Sequence, residues 1–295
     1  RDCVSKDYIR DNIKSNLKMI DHSRFMHRIS PHNQTALIVS GGPYLNIKEL
    51  KDTIKENPGC KVVCVKHSYN KLLTNGIKPW ACVLLDPRPI TGISTHGIMR
   101  KDLFKKVDPS TKFFVASMTD PSVTEHLIKK KADIYGWHAF TESLREEDER
   151  GIQIINNQVH LIDELGIPQG STLITGGTCA AMRAIGIMNT MGFREMHLFG
   201  FDCSMEEPTE KQMEETTGAE DEEPKSKYMK VTVNDKDFWT TGELLAMAQD
   251  CERTFRDDNS AINFTYHGEE TMVAELWEII ESERPLPNFK EVFDD

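Results

Sequence analysis

Two glycine-rich segments stand where a strand-like apolar run gives way to a helical pattern. Their residues are Ser40, Gly41, Gly42 and Pro43 in the first and Thr175, Gly176, Gly177 and Thr178 in the second. Glycine lets a backbone amide approach a phosphate closely, and the N-terminus of the following helix favours negative charge. Both segments are therefore predicted to bind nucleotide. The first lacks the spacing of a dinucleotide-binding motif and the lysine of a P-loop, so a tight turn is the alternative.

Three other strand-like runs end in polar side chains that can bind ligands or move protons. His67 and Ser68 follow the first of these runs. The second ends at Asp86, before Pro87 and Arg88, and the third ends at Asp202. A carboxylate at a strand end can bind a divalent cation or a ribose hydroxyl, although an aspartate before proline is also a typical turn residue. We predict that His67 and Ser68 contact the nucleotide and that Asp86 binds Mg²⁺. The catalytic group is left open among Asp86, Asp202 and His67.

The order of the elements predicts where these residues meet. Short, continuous apolar runs alternate with helical patterns along the chain. That alternation indicates an α/β fold, a Rossmann-like doubly wound and mostly parallel sheet with helices on both faces. In such a sheet ligands bind beyond the carboxyl ends of the strands. Two glycine-rich helix starts and two strand-end aspartates at that edge together predict a phosphorylated small-molecule ligand.

Charge and composition divide the chain into four segments. Residues 206–226 hold nine Asp and Glu against two Lys, a net charge of −7 within a chain total of −11. This predicts a mobile acidic insert at 206–227, which is either a solvated surface loop or a lid that closes over the ligand. Residues 1–34 are basic and carry apolar residues at helical spacing, which predicts a helical arm packed on the core or on a second subunit of a homo-oligomer. Residues 35–205 form the nucleotide-binding core, and residues 228–295 complete it with strands and helices.

The composition also argues against several classes of protein. The 295 residues are enough for a sizeable core, and no apolar run approaches the roughly 18 residues of a membrane-spanning helix. A nucleic acid is not an expected partner, because no large basic patch is interleaved with aromatic residues. Seven cysteines, several in apolar surroundings, indicate free thiols, and the N-terminus has no signal-peptide segment. We therefore expect a cytoplasmic location.

The order of these motifs resembles the MptE-like domain family. The resemblance extends over about residues 35–275 and is most specific in GGTCAAMRAIGIMNTMGFREMHLFGFD (176–202) and GIKPWACVLLDP (76–87). The family takes its name from an archaeal 6-hydroxymethyl-dihydropterin pyrophosphokinase. It also includes the motility-associated glycosyltransferases that modify flagellin. The first half of the chain is more distantly similar to bacterial sialyltransferases.

The resemblance implies nucleotide or nucleotide-activated substrates on a Rossmann-like fold. By position, it assigns Gly41, Gly42 and Pro43 to the nucleotide-facing loop, Asp86 to the acidic position after the third strand, and Gly176, Gly177 and Thr178 to the second loop. The leading hypothesis is a transferase with a sugar-nucleotide donor in cell-surface glycan assembly. The alternatives are an ATP- and magnesium-dependent pyrophosphokinase and a non-catalytic nucleotide-binding protein. The Asp-x-Asp pair expected of a pyrophosphokinase and the histidine that sialyltransferases place after their Gly-x-Asp strand have no counterparts here, so the catalytic base is unassigned.

Overall fold

The main body of the protein is one parallel sheet between two layers of helices. The computed structural model describes residues 4–90, 104, 106–140, 165–168, 170–177, 179–217, 228–257 and 261–284. The strands are β1 (His32–Val39), β2 (Lys61–Val65), β3 (Ala81–Leu84), β4 (Lys112–Ala116), β5 (Asp133–Ala139), β6 (Leu173–Ile174), β7 (Phe193–Phe199), β8 (Tyr228–Val233), β9 (Lys236–Thr241) and β10 (Asn263–His267). The helices are α1 (Lys6–Met19), α2 (Ile47–Glu56), α3 (Lys66–Thr74), α4 (Pro121–Lys129), α5 (Ala180–Thr190), α6 (Glu210–Thr217), α7 (Gly242–Phe255) and α8 (Met272–Glu283), with a short 3-10 helix at His22–Arg24.

The strand order of the main sheet is β10-β7-β1-β2-β3-β4-β5-β6, and every neighbouring pair is parallel. From β1 the sheet grows in one direction as far as β6. The chain then crosses back, so that β7 lies on the other side of β1. The strand order therefore reverses between β1 and β7, which is where ligands bind in open α/β sheets. This topology confirms the predicted doubly wound, Rossmann-like fold.

Both faces of the sheet are buried, which explains the continuous apolar runs. On β1, Ala36 and Ile38 point into one core and Leu37 and Val39 into the other, and all four side chains are fully buried. Helices α1, α5, α7 and α8 contribute buried side chains to the first core, whereas α2, α3 and α4 contribute to the second. Because helices cover both faces of the central strands, these strands do not need the polar alternation of a half-exposed sheet.

Helix α1 docks on the core of its own chain. Its apolar side chains, including Ile9 and Ile13, are buried in the first core. Asn16 is fully buried, and its Nδ2 donates to the carbonyl oxygens of Ser117 at 2.8 Å and Thr119 at 2.5 Å, just beyond β4. Of the two predicted packings of the arm, the structure shows the one on the core. A contact between subunits through the arm stays a prediction.

The segment after α1 runs beside β5. Phe25 forms a parallel bridge with Gly136, and the N–H of Met26 donates to the carbonyl of Gly136 at 2.9 Å. A Cβ at Gly136 would lie 2.5 Å from the Phe25 ring, so only glycine admits the ring at this position. The N-terminal segment is thus joined to the sheet by backbone bonds as well as by apolar packing.

The C-terminal part contributes strands to two different sheets. The run 228–233 is not a strand of the main sheet, because β8 pairs antiparallel with β9 in a separate two-stranded ribbon. Only β10 joins the main sheet, beside β7.

The acidic segment is not a loop throughout, since its residues Glu210–Thr217 form α6. Residues 218–227 lie outside the described residues, so the mobility of the insert stays a prediction.

Membrane insertion through a helix finds no support in the part of the chain that the structure describes. None of its helices has the length and the apolar character needed to cross a bilayer.

Replacing Asn16 by alanine tests how strongly α1 is tied to the core. The substitution leaves two buried carbonyl groups without their donor and also removes the Oδ1 that accepts from the Thr124 hydroxyl at 2.6 Å. We expect Asn16→Ala to lower the free energy of unfolding by about 3 kcal/mol in urea denaturation. The control is Lys14→Ala on the exposed side of the same helix. Equal unfolding free energies for the two variants would contradict this role of Asn16.

Candidate functional site

The first glycine-rich segment lies at the point where the strand order reverses. The N–H of Gly42 donates to the carbonyl of Gly200 at 3.0 Å, which joins the loop after β1 to the end of β7. A Cβ at Gly42 would lie 2.2 Å from Oδ2 of Asp202 and 2.5 Å from the Gly200 oxygen. The loop therefore needs glycine because of a contact within the protein. Pro43 and Gly41 are exposed, so the outer side of the loop is open to a ligand.

Asp202 is the buried carboxylate of this junction. It is 2% exposed, and its Oδ2 accepts the N–H of Tyr44 at 2.7 Å. Burial raises the pKa of Asp202, and the hydrogen bond from Tyr44 and the charge of Lys71 offset part of that effect. A carboxylate whose pKa is raised at a ligand-binding edge is suited to accept a proton or a hydroxyl hydrogen bond.

On its other side the glycine loop contacts the end of β2. A Cβ at Gly41 would lie 2.7 Å from Cβ of His67, so the backbones of the two predicted ligand segments meet here. His67 is exposed, whereas Ser68 is buried and its hydroxyl donates to the carbonyl oxygen of Val39 at 2.8 Å. The Ser68 hydroxyl thus holds α3 against β1. Ser40 is also buried, and its N–H donates to the Phe199 carbonyl at 2.8 Å.

Lys66, Asp86 and Arg88 form an ion-pair cluster at the ends of β2 and β3. Nζ of Lys66 donates to Oδ2 of Asp86, and the Arg88 guanidinium makes bonds of 2.8 Å to Oδ1 and 2.6 Å to Oδ2. The Lys66 and Asp86 side chains are only 11% and 6% exposed. Burial alone would raise the pKa of Asp86, but Arg88 and Lys66 outweigh it and lower the pKa to about 2. Sequence analysis missed Lys66.

This geometry does not fit the predicted magnesium site. Both oxygens of Asp86 already accept from cationic side chains, which a second cation would have to displace. In the part of the chain that the structure describes, no group of three or more His, Cys, Asp and Glu side chains is arranged to hold a metal ion. The ion pairs therefore argue against Mg²⁺ on Asp86, and the predicted binding stays untested.

The second glycine-rich segment precedes α5 and faces another carboxylate. Thr175 and Gly176 are exposed, and Gly176 has a φ of +118°, a value that glycine adopts readily. A Cβ at Gly177 would lie 2.6 Å from Oδ2 of Asp250, which also pairs with Arg253. The approach of Asp250 from α7 was not evident from the sequence. Thr178 lies outside the described residues, so its predicted contact stays untested.

Helix α1 covers the carboxyl edge over β3 and β4, next to a buried histidine at the end of β5. Asn12 donates to the carbonyls of Pro87 at 3.2 Å and Met118 at 3.1 Å. Nearby, His138 is 2% exposed, its Nδ1 lies 2.9 Å from the Ser117 hydroxyl, and its Nε2 has no hydrogen-bond partner among the described residues. Burial, with a smaller effect of the neighbouring His22, lowers the pKa of His138 to about 4. The edge near β1, β2 and β7 is therefore the candidate site.

Comparison with known families identifies the chain. The family model described as 6-hydroxymethylpterin diphosphokinase MptE-like matches residues 8–208, about two thirds of the sequence. The chain belongs to the MptE-like family. Among curated proteins, no significant match was found. Among solved structures, a MAf glycosyltransferase from Magnetospirillum magneticum AMB-1 is similar, with 16% identity and a TM-score of 0.53.

That structural similarity concerns the fold. It covers 94% of this MptE-like chain but only 42% of the glycosyltransferase chain, so this chain spans less than half the length of its structural neighbour. The family match confirms the resemblance inferred from the motifs. Its span, residues 8–208, includes α1 and both glycine-rich segments and ends before the β8–β9 ribbon.

Replacing Asp86 by asparagine tests whether it is a structural ion-pair partner in this MptE-like chain. The change removes the negative charge that pairs with Lys66 and Arg88 in a buried position, so we expect a loss of about 3 kcal/mol in unfolding free energy at pH 7. Asp52→Asn is the control, because Asp52 forms a surface pair with Lys55 at 3.0 Å and is expected to cost less than about 1 kcal/mol. An Asp86→Asn protein as stable as the wild type would show that the cluster adds nothing to the fold.

His138 makes stability depend on pH. Its pKa is lowered on folding from 6.5 to about 4, so between these values the unfolded chain binds more protons than the folded protein. Unfolding free energy therefore falls as pH decreases through this window, by about 2 kcal/mol between pH 6.5 and pH 5. His138→Phe keeps the stacking on Phe25 and should remove this part of the pH dependence. The exposed His27→Phe is the control. Identical pH dependence in both variants would rule His138 out as the source.

Proposed function

We propose that this chain is a transferase that binds a nucleotide-activated donor, most simply a sugar nucleotide, and serves cell-surface glycan assembly. The proposed site is the open carboxyl edge between Asp202 and Arg88, with the glycine loop at Gly41 and Gly42 between them. The observation that carries the proposal is the Lys66–Asp86–Arg88 cluster, because it fixes two cationic groups beside a glycine loop at the edge where α/β sheets bind ligands.

The charge of the cluster favours a phosphorylated ligand. Lys66, Asp86 and Arg88 together carry one net positive charge, and the carboxylate holds both cations in place before any ligand arrives. Preformed cations avoid part of the cost of ordering side chains on binding. Donor phosphates would therefore lie near Arg88 and Lys66, with the backbone of Gly41 alongside.

The same arrangement suggests how group transfer would be assisted. When the bond between the donated group and phosphate breaks, negative charge develops on the departing phosphate oxygen. Lys66 and Arg88 would stabilise that charge, as preorganised charges do in other enzymes. Asp202 lies on the opposite side of the glycine loop, and its raised pKa makes it the best-placed candidate to accept a proton from an attacking hydroxyl.

A pyrophosphokinase is the second candidate, favoured by the description of the matching family. It would use the same cations for the phosphates of ATP and would bring Mg²⁺ with the nucleotide. The products separate the two reactions. A sugar-nucleotide transferase releases a nucleoside mono- or diphosphate, whereas a pyrophosphokinase releases AMP. Tight nucleotide binding without either product would indicate the third candidate, a non-catalytic nucleotide-binding protein.

Isothermal titration calorimetry with CMP, UMP, UDP, GDP and ATP, with and without Mg²⁺, tests the proposal. We expect at least one nucleotide to bind, and Arg88→Met to weaken that binding by at least about tenfold, because one charge-assisted phosphate contact is lost. Lys66→Met should weaken nucleotide binding to a similar degree. Arg88 is more exposed than Lys66, so its substitution disturbs the fold less. Lys51→Met, at an exposed position on α2, is the control. Unchanged affinity in a folded Arg88→Met protein would remove the cluster from the site.

A further inference from the structure

Two histidines and a glutamate form a chain of hydrogen bonds that the proposed function does not use. Nδ1 of His197 on β7 lies 2.8 Å from Nε2 of His267 at the end of β10. Nδ1 of His267 in turn lies 2.8 Å from Oε1 of Glu49 in the first turn of α2. The His267 ring stacks on Phe199, with ring centroids 4.1 Å apart and planes 8° apart. These contacts join the start of α2 and the end of β10 to β7.

The hydrogen-bonding chemistry of these groups limits how many protons the chain can hold. An ionised carboxylate can only accept, so Nδ1 of His267 carries the hydrogen that binds Glu49. A bond between two ring nitrogens needs one hydrogen, which either ring can provide. The chain is therefore complete when both rings are neutral and when one of them is protonated. When both are protonated, Nδ1 of His197 and Nε2 of His267 both carry hydrogens, and the bond between them is lost.

The surroundings of the two rings disfavour that second proton. His197 is only partly exposed. Burial and then the charge of His267 lower the pKa of His197 below its ordinary value of 6.5, and the charge of Glu195 offsets part of this effect. The groups beside the two rings come from each neighbouring element: Glu49 from α2, Glu195 from β7 itself, Leu37 from β1 and Thr265 from β10.

We infer that His197 and His267, with Glu49, form a pH-sensitive switch that holds the end of β10 and the start of α2 to β7 and opens at the bond between the two rings when both are protonated. A histidine released from this contact regains its ordinary affinity for protons, so acidification below pH 6.5 favours the open form. Because α2 follows the glycine loop, the open form also frees the helix start that lies next to the candidate site.

Titration of the histidine rings by NMR tests the proton count. Interacting sites lose their protons in separate steps, so we expect His197 and His267 to titrate together in two steps at least about one pH unit apart. In His197→Phe, the single remaining ring should titrate in one step, at a higher pH than the second protonation of the wild type. His27→Phe, at an exposed position, is the control and should leave both steps unchanged. Independent titration of the two rings would overturn the inference.

Hydrogen exchange of backbone amides tests the opening itself. After correction for the intrinsic effect of pH on exchange, amides of β10 and of the first turn of α2 should exchange up to about tenfold faster for each pH unit below the second step, because one proton is bound on opening. Amides of β3 provide the internal reference and should keep their protection. His197→Phe should show no such acceleration. Unchanged protection of β10 in the wild type, or an equal loss in β3, would overturn the switch.

Discussion

The space beside Gly42 is filled by the carboxylate of Asp202, and the rest of the site takes its position from this contact. The loop after β1 and the end of β7 come together there because residue 42 has no side chain and because the N–H of Tyr44 binds the same carboxylate. Protein interiors are too densely packed for such a junction to absorb even a methyl group without movement. The junction between the loop after β1 and the end of β7 is therefore tightly packed and polar, and it is not an empty cleft.

The two sides of this junction differ in the charge of their side chains. Towards β2 and β3 the backbone of Gly41 leads past His67 to Lys66 and Arg88, whereas towards β7 the loop contacts the buried carboxylate of Asp202. Helix α1 limits the edge further, because its asparagines occupy the carbonyl groups beyond β3 and β4. The open part is thus short and polarised.

Most of the sheet could be predicted from the sequence, because its signal is local. Continuous apolar runs ending in glycine or aspartate predicted both the strands and the edge where Gly42 and Asp202 lie. The Lys66–Asp86 pair could not be predicted in the same way, since the residues are 20 positions apart and meet only because β2 pairs with β3 in one register, Val65 beside Val83. Even so, Lys66 stands at the end of an apolar run, directly before His67. Polar residues at strand ends were the basis of the other site predictions, so Lys66 could have been included on the same grounds.

Other features depended on packing or on a turn that sequence analysis did not recognise. Asp250 approaches Gly177 only because α7 packs beside α5, an arrangement that no local pattern specifies. The β8–β9 ribbon had a local signal. Asn234 and Asp235 both have positive φ, and they join two strand-like runs as a two-residue turn of the kind these residue types favour. Read as a hairpin signal, that dipeptide separates β8 from the main sheet.

The bridge between Phe25 and Gly136 has a consequence for the protein in a crowded cell. In the part of the chain that the structure describes, β6 pairs with His138 and Ala139 of β5 and does not reach the earlier residues of that strand. Unpaired N–H and C=O groups at a sheet edge pair with strands of other molecules and promote aggregation. By laying Phe25 and Met26 along Gly136, the chain fills that stretch with its own backbone. The N-terminal segment therefore covers part of the outer side of β5 with backbone of the same chain.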